Sequence, residues 1–131
     1  MTKKQIQSDK IRQPSGHFSQ AISIEAKGKL VFLSGMTARR ADGTIAGVGD
    51  IEAQTRQVCE NLKSAVEAAG GTMDHICRVD VYVRNMEHFE KIHKVRREYF
   101  TAPAPASTMV EVTKMTSPDY LIEINAIALI P

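Results

Sequence analysis

The segment at residues 121–130, LIEINAIALI, is apolar on both of its alternating sides, and this limits what the chain can fold into. Ile122, Ile124, Ala126, Ala128 and Ile130 share one side of an extended strand, while Leu121, Ile127 and Leu129 lie on the other. A strand of this kind requires cover on both faces. The chain has 131 residues, the size of one domain, and its remaining pattern offers two helices. Those helices can cover one face of a sheet. A second copy of the chain is the simplest cover for the other, so the last strand predicts a homo-oligomer.

Local signals mark the preceding elements. Residues 1–13 are polar and without period and are expected to be a flexible N-terminal segment, with residues 14–131 as a single domain. Phe18, Ala21, Ile22 and Ile24 mark an edge-like strand within residues 17–26. Lys27-Gly28-Lys29 is a turn, and LVFLSGM at residues 30–36 is a second strand, so the two are expected to form a hairpin. Asp42-Gly43 is a further turn signal, leaving room for a short extra strand. Asp50 is a helix N-cap, followed by the stripe Ile51, Val58, Leu62, Ala65, Val66 and Ala69 and closed by Gly70-Gly71. In residues 76–84, Val79, Val81 and Val83 alternate with Arg78, Asp80, Tyr82 and Arg84. Asn85 then caps a second helix with the stripe Phe89, Ile92, Val95 or Arg96, and Tyr99, ended by Pro103 and Pro105. Strands at residues 107–112 and 121–130 complete an α+β order with both helices on one face of a sheet.

Charge and composition remove several functions. Seventeen Lys+Arg against fifteen Asp+Glu leave a net charge of +2, too even for a nucleic-acid stripe. No apolar run approaches the ~18 residues that cross a membrane, and none follows the charged N-terminus as in a secretion signal. The expectation is a cytoplasmic protein whose two cysteines, Cys59 and Cys77, are free thiols in core segments. His17, His75, His88 and His93 lack metal-ligand spacing, and no Gly-rich phosphate loop is present, so neither a metal nor a cofactor is expected.

Glu123 is the residue that most invites a chemical reading, because it interrupts the apolar last strand with Asn125 on the same side. A carboxylate buried there must be paired, hydrogen-bonded or protonated. It is either a general acid/base or water-positioning group with a raised pKa, or a structural carboxylate bonded to a backbone amide or an arginine. His93, beside Ile92, is a packing residue or a catalyst, and the run KIHKVRR at residues 91–97 is most simply a solvated helix face. Arg39-Arg40 is a solubilising loop or, if folded over a pocket, a grip for an anion.

The segments Leu33-Ser34-Gly35, Gln54-Thr55-Arg56-Gln57, Asn61-Leu62, Glu67-Ala68-Ala69-Gly70, PASTMVEV at 105–112 and IEINAIA at 122–128 resemble the RidA/YjgF family. This family is also called L-PSP or reactive-intermediate imine deaminases, and the resemblance covers about residues 14–131. It implies a chorismate-mutase-like single mixed sheet with two helices on one face. It also implies a homotrimer with a central barrel and ligand clefts between subunits. The implied activity is hydrolysis of enamines or imines released by pyridoxal-phosphate enzymes, with an arginine on the substrate carboxylate and a water positioned near a glutamate. That glutamate matches Glu123, and the Ser-Gly pair matches Ser34 and Gly35. Elsewhere the pattern departs: Phe18 replaces a tyrosine, His93 an asparagine, Ser107 the carboxylate-binding arginine and Met109 a cysteine. These positions are expected to line the ligand site, with Arg39 or Arg40 holding the anion from the loop.

Residues 34–44 also resemble the 2-aminomuconate deaminase branch of the family. Three functions follow from the resemblance. The first is a deaminase for a non-standard small anionic substrate with Glu123 as its catalytic group. The second is a trimeric small-ligand binder without turnover. The third is a ribonuclease or translation inhibitor, which the near-neutral charge disfavours.

Overall fold

The computed structural model describes residues 3–131. The chain runs β1 (Lys3–Ile6), β2 (Ala21–Ile24), β3 (Lys29–Met36), α1 (Ile51–Ala68), β4 (Ile76–Val83), α2 (Phe89–Tyr99), β5 (Ala106–Glu111) and β6 (Ile122–Ile130). Short 3₁₀ turns at Met73–His75 and Met86–His88 lead into β4's and α2's first residues. The main sheet has the order β3-β6-β4-β5, with β6 antiparallel to both neighbours and β5 parallel to β4. This is the α+β architecture expected, with α1 and α2 packed on one face.

The doubly apolar strand lies inside the sheet. Its helix-side residues Ile122, Ile124, Ala126 and Ala128 are no more than 1% exposed and pack with Val58, Leu62, Val66 and Ile92. Ile127 on the other side is half-buried, and on the neighbouring β3 Leu30 and Phe32 stand 56% and 72% exposed. One chain therefore covers one face and leaves an apolar surface on the other.

Two buried or half-buried amides of α1 fix the loops around the sheet. Gln54 donates to the Asp119 carbonyl at 2.6 Å and accepts the Leu121 N–H at 2.9 Å, which sets the entry into β6. Asn61 donates to the carbonyls of Thr37 and Arg39 at 2.8 and 2.9 Å, which sets the exit from β3. Asp50 caps α1 through the Ala53 N–H at 3.1 Å, and Gly70 closes it with φ +95°, a conformation that suits glycine.

Four expectations need correction. Lys3–Ile6 is not a loose segment: it pairs antiparallel with β2, from Lys3↔Ile24 to Ile6↔Ala21. The flexible reading of Met1 and Thr2 lies outside the described residues. Gln20 holds the intervening loop, accepting the Ser8 N–H at 2.7 Å and donating to the carbonyls of Ser8, Ile11 and Arg12. Consequently β2 forms a separate two-stranded ribbon with β1 rather than a hairpin with β3, whose paired edge is taken by β6. Asn85 caps the 3₁₀ turn before α2, accepting the Glu87 N–H at 2.9 Å, and not the helix itself. Cys59 is core, but Cys77 is only half-buried, because the β4–β6 register shifts between Ile76 and Arg78.

Replacing Gln54 by leucine keeps its approximate size but leaves the Asp119 carbonyl and the Leu121 N–H without partners. Each orphaned group costs about 1–3 kcal/mol, so Gln54→Leu should lower unfolding stability by about 2–4 kcal/mol. Urea unfolding followed by circular dichroism measures this. An unchanged midpoint would mean that the two backbone groups find other partners.

Candidate functional site

Apart from Arg39 and Arg40, the site residues singled out in the sequence gather in two places on opposite faces of the sheet. Glu123 pairs across the ladder with Tyr82, and Asn125 with Asp80, on the open face. There Asn125 donates to Asp80 at 3.1 Å, and Arg78 bridges Asp80 and Thr108 at 2.7 Å each. The β3–β6 register breaks between Leu33 and Met36, which places Ser34 and Gly35 in a bulge beside Glu123. A Cβ at Gly35 would overlap the Glu123 carboxylate, so this glycine is required for the carboxylate to lie where it does. Glu123 is half-buried, not sunk in the core, and forms no ion pair among the described residues.

Ser107 and Met109 face the other way, since they pair with Val79 and Val81, whose side chains lie in the helix-side core. With Phe18 and His93 they line a recess of about 270 Å³ between β5 and α2. Ser15, Gly16, Phe89 and Arg96 complete its wall. Four of the expected ligand residues, Phe18, His93, Ser107 and Met109, thus come together. Glu123, Ser34 and Gly35 form a second group.

The recess contains an electrostatic anomaly. Arg96 is 2% exposed, and its Nη2 donates to the Ser107 Oγ at 3.0 Å. His93 is 3% exposed, with its ring edge-on to Phe89 at 4.0 Å between centroids. The described residues contain three buried side-chain nitrogens or oxygens without a partner: His93 Nδ1, His93 Nε2 and Arg96 Nε. All belong to this recess. Buried polar atoms are nearly always bonded, so such a cluster asks for something that binds it. Burial and then the nearby Arg96 and Arg97 charges push the His93 imidazole down to about 4, leaving it neutral at pH 7. Burial lowers Arg96 to about 10, so it remains a cation.

Arg39 and Arg40 sit elsewhere. Arg39 donates to the Tyr120 hydroxyl and the Gly43 carbonyl at 2.6 Å each and lies 5.5 Å over the Tyr120 ring. Arg40 donates to Thr44 at 3.2 Å. Both line an open hollow between the β3 exit, with Gly35, and the Asn61 and Ser64 face of α1, away from Ser107. Among the described residues no group of three or more His, Cys, Asp or Glu is gathered as a metal site, and no helix is long and apolar enough to cross a membrane.

The family described as endoribonuclease L-PSP matches residues 9–130. The chain belongs to the RidA/YjgF family. It is 36% identical over 128 residues to a RutC family protein of Pyrococcus abyssi, covering 98% of each chain. It is 32% identical over 118 residues to the 2-iminobutanoate/2-iminopropanoate deaminase of Dermatophagoides farinae, covering 90% of this chain and 89% of that one. A crystal structure of a Rid family protein of unknown function from Yersinia pestis superposes with a TM-score of 0.89 at 30% identity, covering 99% of this chain and all of the other.

Within the RidA/YjgF frame two of the shared segments have structural work: Gln54 and Asn61 hold loops, as described above. The residue of the recess that sequence reasoning did not place there is Arg96. Its signal was its place on the α2 stripe, three residues after His93, within a run read as a solvated face.

The neutral His93 makes stability depend on pH. Its folded pKa lies below the ordinary histidine value near 6.5, so the unfolded chain binds the extra proton first as pH falls. The resulting stability is complete above about pH 6.5 and is lost towards the folded value of about 4. Its slope is about 1.4 kcal/mol per pH unit. Arg96, Arg97, Glu90 and His17 are the charged or titratable groups acting on the ring. Urea titrations at pH 7 and pH 5 should show a steeper loss for the natural protein than for His93→Gln. Parallel losses in the two proteins would contradict the buried neutral ring.

Proposed function

We propose that the protein hydrolyses a small carboxylate-bearing imine or enamine to the corresponding ketone and ammonia, in clefts between the copies of a homotrimer. The observation that carries this reading is the split of the site across the sheet. One protomer offers a carboxylate and a bulge on its open face, and a cationic recess on its helix face. Neither half alone both orients a water and holds an anion. Packing the open apolar face against a second copy would cover Leu30 and Phe32 and bring the two kinds of half-site into one cleft.

In the proposed reaction Glu123 orients a water and accepts its proton as the oxygen attacks the imine carbon. The C=N π electrons move to nitrogen, which takes up a proton, giving a carbinolamine. The hydroxyl oxygen then forms the C=O bond as the C–N bond breaks, and the hydroxyl proton returns through the carboxylate to the departing ammonia. An enamine enters the same route after protonation at carbon. Water supplies the oxygen, and no redox partner is required. The 2-iminobutanoate/2-iminopropanoate deaminase relative supports this reaction class. The endoribonuclease description has less support, since the net charge is +2 and the recess walls are Phe18, Phe89 and Met109 rather than a basic stripe.

The test uses imines generated in place by a pyridoxal-phosphate dehydratase, with a muconate-type enamine as a second substrate. The protein should accelerate 2-oxo acid or ketone release over the blank. Glu123→Gln should lower kcat by about 100-fold or more, with the oligomer intact. Gly35→Ala should act in the same direction by displacing the carboxylate. Sedimentation equilibrium should give three chain masses. A soluble monomer sinks the cleft, and a trimer that accelerates neither substrate leaves a binding protein.

A further inference from the structure

We propose that Arg96, presented from α2, is the group that holds the substrate's carboxylate, in the space that Ser107 leaves beside it. This inference rests on reading the recess as half of a hydrolase cleft, and it names the residue and the ligand class that the cleft selects.

The position of Arg96 is unusual on physical grounds. A guanidinium removed from water without a counter-ion costs several kcal/mol, and buried arginines are ordinarily paired. Arg96 has no ion pair among the described residues, and its one side-chain hydrogen bond goes to a neutral hydroxyl. Its Nε is buried with no partner. Such a group is satisfied by an anion, and its fork of parallel N–H donors matches a carboxylate.

His93 sharpens the choice of ligand. It precedes Arg96 by three residues, so both side chains project from one side of α2 into the recess. A neutral imidazole supplies one N–H donor and one bare nitrogen acceptor, and both ring nitrogens are unpartnered. Phe18, Phe89 and Met109 provide apolar walls. A carboxylate for Arg96, a neighbouring heteroatom for His93 and a hydrocarbon body for the walls describe a 2-imino or 2-oxo acid with an apolar side chain. A side chain ending in a second charge would be left unpaired against the walls.

Calorimetric titration of the intact protein with 2-oxobutanoate, the product of 2-iminobutanoate hydrolysis, tests binding apart from turnover. Natural protein should bind it and should bind butan-2-one, which lacks the carboxylate, far more weakly. Arg96→Met should weaken 2-oxobutanoate about 10- to 100-fold, and Arg96→Lys less. Ser107→Ala, which removes the hydroxyl that steadies the guanidinium but keeps the cation, should weaken binding less than Arg96→Met. The exchange Arg96→Ser with Ser107→Arg should recover most of the affinity lost in Arg96→Met. If Arg96→Met does not assemble, Arg96→Lys and the exchange carry the comparison.

Unchanged binding in Arg96→Met and Arg96→Lys, or no binding to the natural protein, would overturn the assignment. So would a crystal structure in which a carboxylate of a second copy occupies Arg96. Kinetics separate this assignment from the reaction. Binding through Arg96 without imine hydrolysis by the natural protein removes the deaminase reading and keeps the clamp. Hydrolysis with an unchanged KM in Arg96→Met does the reverse.

Discussion

The register of β6 is the constraint on which the rest of the structure depends. This strand has a hydrogen-bonded neighbour on each edge and apolar side chains on each face. Moving it by one residue would exchange Ile122 and Ile124 for Glu123 and Asn125 in the core. Two features outside the strand oppose that slip: Gln54 holds the Leu121 N–H, and the bulge at Gly35 leaves room for the Glu123 carboxylate. Stability and site geometry are therefore set by the same contacts. The alternation that fills the helix-side core also delivers the carboxylate to the open face.

That open face explains why the site is divided. Leu30, Phe32 and Ile127 form an apolar surface on the same face as Glu123, further along β6, while the Arg96 recess opens beside the edge strand β5. A surface of this composition stabilises association, and association is what would bring two dissimilar half-sites together. Assembly and chemistry would then be coupled in one interface, with no segment of the single chain needing to cross the sheet.

Much of this was legible in the sequence, for physical reasons that differ by element. β4 carries clean alternation, β6 an apolar run of strand length, and α1 both a stripe and unambiguous ends at Asp50 and Gly70, so patterning and capping sufficed. Phe18, His93, Ser107 and Met109 were found through family resemblance, and they share one recess. β1 was invisible because its four residues have no apolar alternation and pair with β2 across a loop held by Gln20. For Arg39 and Arg40 the sequence left open a solubilising loop or an anion grip, because nothing nearby in sequence announces Tyr120, the partner of Arg39 across 81 residues. Arg96 escaped because the α2 spacing allowed Val95 or Arg96 on the stripe, and the helix buries both. Its basic surroundings pointed to solvent, whereas the absence of arginine at position 107 was the better clue.

Position 107 and position 96 have to be considered together. The Nη2 of Arg96 is 3.0 Å from the Ser107 Oγ, so a guanidinium added on β5 would meet another cation beside the buried Arg96. Like charges at such a distance repel strongly where the dielectric is low, and the recess has room to satisfy one of them. An arginine at position 107, which the resemblance would place there, and the proposed clamp on the helix would thus be alternatives rather than additions. Serine at 107 is the small, neutral acceptor that lets the helix arginine lie down in the recess and steadies one of its donors. Phe18 and Met109, standing where the family carries tyrosine and cysteine, follow the same logic. Less polar walls compete less for the guanidinium and strengthen its field on whatever anion arrives, at the cost of hydrogen bonds to the rest of the ligand. With Arg96 as the proposed clamp, the departures that the resemblance implies would form one coupled change, in which the positive charge moves from strand to helix and the walls around it become more apolar.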